Sequence, residues 1–161
     1  MNDSVLNGKK ILAVDDEPDV LNVLEEEIMS ACPNCVFERA STYEDAAGLI
    51  RSRTYDAVVL DIMGVRGFDL LDMAAKRGFK VAMLTAHALS AQALKRSIEL
   101  KARAYLPKEK LGEIVPFLED MIKLDYETGW KRLFQKLNGF FTERFESKWE
   151  NETGAPWRGW F

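Results

Sequence analysis

The side chains able to do chemistry in this chain are mainly carboxylates, and they are unevenly spaced. Residues 11 to 20, ILAVDDEPDV, hold four acids, three of them in a row: Asp15, Asp16 and Glu17. They follow Ile11 to Val14, an apolar run that reads as a strand buried on both faces. Pro18 suits the first turn of a helix, where its missing N–H is no loss. The acids therefore stand where a strand ends and a helix begins. One acid there is accounted for as a favourable charge at a helix N-terminus. Adjacent aspartates at a buried strand end repel each other unless a cation or hydrogen bonds offset them. A third aspartate, Asp61, closes the run Ala57–Leu60; Thr85 closes Val81–Leu84, and Lys108 follows Ala104–Leu106.

These groups act together only if the elements carrying them converge. Strand-like runs occur at Ile11–Val14, Val36–Phe37, Ala57–Leu60, Val81–Leu84 and Ala104–Leu106. Helical patterns separate them. Val20, Leu21, Leu24 and Ile28 share one face of the first, and Ser41 and Glu44 open the second at capping-box spacing. FDLLDMAAKRG, stopped by Gly78, is a third, and SAQALKRSIEL a fourth. LGEIVPFLEDMIKL is the fifth, with Pro116 predicting a kink. This alternation predicts an α/β fold, a parallel sheet with helices on both faces. Ligands in such sheets sit at the carboxyl ends of the strands. Asp15, Asp16, Asp61, Thr85 and Lys108 all fall there.

Composition bounds the rest. The chain has 161 residues, 47% hydrophobic and 30% charged, as a globular domain does. A net charge of −4 gives no reason to expect nucleic acid or an anionic membrane as partner. No apolar segment approaches the ~20 residues of a membrane span. MNDSVLNGKK lacks a signal-peptide core, so a cytoplasmic location is expected. The pair Cys32 and Cys35, in CPNC, comes after the first helix rather than opening one, so buried thiols are expected rather than a redox centre. Zinc would need four ligands, and only His87 is left to add.

Taken in order, VDDE, VVLDIM, MLTA and AYLPK make residues from Asn7 to Lys123 resemble the response-regulator receiver domain of two-component signalling. The resemblance implies a doubly wound sheet of strand order 2-1-3-4-5 and phosphorylation on aspartate. It implies that Asp61 is the phosphoacceptor and that Asp16, Asp61 and the Met63 carbonyl bind Mg²⁺ or Mn²⁺, with Asp15 acting through water. Thr85 and Lys108 would contact the phosphoryl group, and Thr85 and Tyr105 would form the switch. Ala86 would leave room for the phosphoryl group, and His87 would flank the mouth of the site. A sensor histidine kinase or phosphotransfer protein would be the donor, and an unknown protein the downstream partner. The residues support this chemistry: phosphoryl transfer asks mainly for positioning and electrostatic stabilisation, and carboxylate oxygens suit Mg²⁺.

The chain departs from the family pattern twice. After Asp61 it reads DIMGVRGFDLL, without the family's proline and about two residues short. After Lys108 stands Glu109 where the family has proline, so a trans bond and a shifted lysine backbone are expected. Other classes fit less well. A dehalogenase-type phosphatase needs an aspartate where Met63 stands, a P-loop motif is absent, and a flavodoxin would not carry carboxylates after its first strand. Two further readings remain: an unphosphorylated pseudo-receiver that serves as an interaction module, and a phosphate sink.

The expected division is a receiver over residues 1–124 and a helical aromatic extension over 125–161. Trp130, Phe134, Leu137, Phe141, Phe145 and Trp149 keep helical spacing, so one face is aromatic. Asn138-Gly139 predicts a break or kink. That stripe is too apolar to leave exposed, and a homodimer through it is the expected cover, ahead of packing onto its own receiver.

Overall fold

The computed structural model describes residues 4–86 and 90–144, with side chains through Leu137. Five strands form one sheet: β1 Lys10–Val14, β2 Val36–Ala40, β3 Ala57–Asp61, β4 Lys80–Thr85 and β5 Ala104–Pro107. Their order is β2-β1-β3-β4-β5, and every neighbouring pair is parallel. The predicted order therefore holds. β3 lies at the centre and is buried at all five residues, which is why Ala57–Leu60 is continuously apolar. β2 lies at an edge, and its mixed VFERA sequence reflects that exposure.

Helices α1 Pro18–Ala31, α2 Tyr43–Ser52, α3 Gly67–Lys76, α4 Ala91–Glu99 and α5 Ile114–Lys123 alternate with the strands. The buried face of α1 is Val20, Leu21, Leu24 and Ile28, as the periodicity predicts. Two local predictions are corrected. The cap of α2 is Thr42, not Ser41: its hydroxyl accepts from the Asp45 N–H at 3.2 Å. Pro116 kinks nothing, because it sits in the first turn of α5, where no intrahelical bond needs its N–H. The irregularity comes earlier, in a 3₁₀ segment over Lys108–Glu113.

Cys32 and Cys35 are both buried at the end of α1, and Cys35 Sγ donates to the Leu6 carbonyl at 2.9 Å. Burial, with Cys32 beside it, pushes the Cys35 thiol up to about 12. A thiol that stays protonated is a poor nucleophile.

A sixth helix, α6, runs over Tyr126–Arg144 and passes Asn138 and Gly139 without a break. Asp125 starts it, its Oδ1 accepting from the Thr128 N–H at 2.8 Å. Within the single chain, Trp130, Phe134 and Leu137 are already buried and belong to the same core as the sheet. Trp130 Nε1 donates to the Ala102 carbonyl at 2.9 Å, and Tyr126 Oη to the Ile98 carbonyl at 2.8 Å. Arg132 and Lys136 both reach Asp120 of α5, at 2.9 and 2.6 Å. These three stripe residues are therefore not a dimer surface. The turn before β5 offers an acceptor for the indole and an apolar bed for its rings, which a solvent-facing stripe lacks. The Phe141 side chain, Phe145 and Trp149 lie outside the described residues. Among the described helices none is long and apolar enough to cross a membrane.

Because α6 fills core space, Trp130→Ala is expected to destabilise the chain by about 3–5 kcal/mol. Truncation after Leu124 is expected to lower the urea midpoint as well. An unchanged midpoint in either variant would show that α6 merely lies on the surface.

Candidate functional site: an acidic cluster at the carboxyl edge of the sheet

The site follows from strand order. Parallel strands deliver their carboxyl ends to one edge, and β1, β3, β4 and β5 are consecutive there. Asp61 pairs in register with Leu84 and Thr85 with Pro107, so the ends of β3, β4 and β5 stand side by side. Asp15 is held at the end of β1, its N–H donating to the Ala40 carbonyl at 3.2 Å.

Asp15, Asp16 and Asp61 each offer a carboxylate oxygen, and these oxygens lie within 4.8 Å of one another. Asp15 and Asp61 are buried, whereas Asp16 is exposed. Lys108 Nζ reaches into the group, 2.9 Å from Asp15 Oδ2, 2.9 Å from Glu17 Oε1 and 3.3 Å from Asp61 Oδ1. The glutamate after Lys108 does not divert it. The described residues contain no cis peptide bond.

The electrostatics follow from burial. Burial raises Asp15 above the usual carboxylate range; the Glu17 N–H and Lys108 oppose this, and Asp61 adds to it. Its two oxygens differ. Oδ1 accepts the Glu17 N–H at 2.9 Å, while Oδ2 has an ion pair with Lys108 but no donor in hydrogen-bond geometry. The 2.9 Å separation establishes the charge contact, and the poor angle leaves a lone pair of Oδ2 unused. Burial disfavours the charge on Lys108, but Glu17, Asp15 and Asp61 outweigh it and hold the ammonium above its ordinary value.

The buried Asp15 oxygen with an unused lone pair, beside two more carboxylates, is a donor set that fits a hard divalent cation. The loop from Ile62 to Arg66 is shaped around these acids. A Cβ on Gly67 would lie 2.1 Å from the Asp61 carbonyl, so α3 begins against the end of β3 and only glycine fits. Gly67 N–H closes the loop by donating to the Ile62 carbonyl at 3.0 Å, and Gly64 N–H donates to Asp61 Oδ2 at 3.1 Å. Arg66 completes the short turn in the left-handed region, with φ 55°. Met63 sends its side chain into solvent, 83% exposed.

Thr85 is buried and Ala86 half-buried at the end of β4; His87 lies outside the described residues. Tyr105 is wholly buried on β5, where burial pushes its hydroxyl up to about 12 while the Thr85 side chain and Ser90 backbone oppose the shift. The structure thus gathers Asp15, Asp16, Asp61 and Lys108 into one cluster, and sets Tyr105 behind Thr85. Sequence reasoning missed Glu17 as a partner of Lys108, and Gly64 and Gly67 as the reason the short loop closes. The visible signals were the third acid of the run and two glycines three apart.

Two outcomes are expected of the metal-free protein. Gly67→Ala should cost at least the ~1–3 kcal/mol of an overpacked site, because the carbonyl it meets is backbone and cannot move aside. Asp15 has a folded pKa above its unfolded value, so its contribution is fully present below the unfolded pKa and is lost as pH rises through the folded one. Asp15→Asn is therefore expected to raise the melting temperature at pH 7 and to flatten its fall as pH rises from the ordinary carboxylate range to neutral. Thermal melts across that range check both.

The family model for the response regulator receiver domain matches residues 11–118, more than half of the chain. A putative response regulator from Chloroflexus aurantiacus is 25% identical with a TM-score of 0.63, over 73% of this chain and 100% of that one. A CheY-like receiver domain protein from Methanospirillum hungatei is 22% identical with a TM-score of 0.57, over 84% and 98%. A response regulator from Thermotoga maritima shares the fold at 17% identity and a TM-score of 0.64, over 72% and 98%. Among curated proteins none matches the chain. With a five-stranded sheet of order 2-1-3-4-5 and an acidic cluster at its carboxyl edge, the chain belongs to the response regulator receiver domain family.

Proposed function

We propose that the chain is a phosphorylation switch in which Asp61 accepts a phosphoryl group and the output passes through protein contact. One observation carries this reading: the carboxylates of Asp15, Asp16 and Asp61 meet within 4.8 Å, and Lys108 stands 3.3 Å from Asp61. In the transfer, an Asp61 oxygen forms a bond to phosphorus as the bond from phosphorus to the donor's leaving atom breaks, an imidazole nitrogen for a phosphohistidine donor or an oxygen for a small acyl phosphate. The leaving atom departs with that electron pair. Lys108 faces the charge brought in by the phosphoryl oxygens. Thr85 offers them a hydroxyl donor, and the Gly64 N–H keeps Asp61 oriented. Asp15, Asp16 and Asp61, with the Met63 carbonyl, would hold Mg²⁺ or Mn²⁺, which when bound supplies positive charge to the carboxylates and the incoming phosphoryl group.

On this reading a histidine kinase or phosphotransfer protein is the donor, and the downstream partner is a protein, since the net charge of −4 disfavours nucleic acid. Helix α6 acts as part of the switch body, because its described side chains share the core.

Intact-mass measurement with a small phosphodonor tests the reading. The wild-type chain is expected to gain one phosphoryl mass in Mg²⁺ and none in chelator. Asp61→Asn is expected to remain unmodified while melting as a folded protein. A chain that gains no mass in Mg²⁺ is a pseudo-receiver, and an equal gain in Asp61→Asn moves the acceptor elsewhere.

A further inference from the structure

Glu17 occupies the cap position of α1, yet its side chain makes no capping bond. Its backbone N–H is fixed by Asp15 Oδ1 at 2.9 Å, and its carboxylate turns instead to Lys108 Nζ, also at 2.9 Å. A lysine ammonium has three N–H donors. Here it faces three carboxylates: Asp15, Glu17 and Asp61. Its hydrogen bond goes to Glu17, and its contacts with the two buried aspartates are charge contacts.

The three partners differ in how readily they can be replaced. Asp15 is fully enclosed and Asp61 nearly so, so neither can trade the ammonium for water without stranding a buried charge. Glu17 is 57% exposed, and water can take over its hydrogen bond at small cost. Glu17 is therefore the partner that an incoming anion displaces. The same carboxylate also repels that anion as it approaches.

We propose that Glu17 is a positioning residue that detains Lys108 in the resting site and sets how freely its ammonium passes to a phosphoryl group on Asp61. The inference rests on the phosphorylation reading for its second half only; the hold on Lys108 stands without it. Because the contact is partly solvated, its effect is modest, about two- to five-fold. It acts on the rate at which the site is charged rather than on the fold.

The test uses the full-length chain as wild type, Glu17→Gln and Glu17→Asp. First, without metal, Lys108 is reductively methylated with formaldehyde and a borohydride, and its modification is followed by peptide mass. Glu17→Gln is expected to speed methylation of Lys108 about two- to five-fold, with Glu17→Asp, which keeps the charge, between it and wild type. Other lysines serve as the internal reference. Second, phosphorylation by acetyl phosphate in Mg²⁺ is followed by intact mass, and Glu17→Gln is expected to charge faster by a similar factor. Equal methylation rates in wild type and Glu17→Gln overturn the inference. So does a variant that methylates faster but charges more slowly, which would mean that Glu17 aims the lysine instead of detaining it. A wild-type chain that takes no phosphoryl group overturns the functional reading, and the methylation rates still decide whether Glu17 holds Lys108.

Discussion

A single ammonium stands among carboxylates at one end of this sheet, and the rest of the site is arranged around that fact. Asp15 and Asp61 are buried where β1 and β3 end, and Asp16 is close by. Two unit charges ~4 Å apart interact by about 4 kcal/mol at an effective dielectric of ~20, before desolvation is subtracted. Uncompensated repulsion on that scale is a large fraction of a small domain's net stability. Lys108 offsets it from β5, three strands away from β1 in the sheet order. The ion pair therefore ties the first strand of the chain to the last across the carboxyl edge. It leaves the cluster short of positive charge, which is the condition under which a site takes a divalent cation.

The backbone supplies the aim. α3 begins against β3 itself, and Gly67 meets the Asp61 carbonyl where any side chain would collide. Arg66 accepts a left-handed conformation to complete the turn, and is held there by Asp69 and by the Tyr43 ring at 4.1 Å. Strain at Arg66 and close approach at Gly67 are both of the kind that a site tolerates when the surrounding structure fixes its geometry. The carboxylate of Asp61 is then oriented by a backbone N–H rather than by another side chain.

Much of this was legible from the residues. β3 could be read because a central strand has no polar face, and the face of α1 because a surface helix buries one stripe. The four site residues could be read because a parallel sheet sends all its strand ends one way. What escaped the sequence was local choice among equivalent options. Ser41 and Thr42 are both good caps, and only the entry angle of the chain selects Thr42. Pro116 breaks a helix in its middle but not in its first turn, and the 3₁₀ segment decides which it meets. Glu17 looked like a charge for the helix end, because nothing in a linear string shows that Lys108, 91 positions later, returns to within 2.9 Å. The aromatic stripe marked burial correctly at Trp130, Phe134 and Leu137 but not its partner. A periodic pattern states that a face is covered, and is silent on what covers it.

The packing of α6 also bears on how the chain is made. Trp130 closes over the turn before β5, and its neighbours bind α5 through Asp120. At the other end Leu6 is buried in the same core, and Ser4 donates to Glu119, the residue beside Asp120, at 2.7 Å. The early and late segments thus meet on adjacent residues of α5. A nascent chain can pair its strands once β5 leaves the ribosome, but it cannot finish its core until Leu137 has followed. During synthesis at ~5–20 residues per second, the interval between those events is on the order of seconds, in which the apolar bed for Trp130 lies open to whatever is nearby.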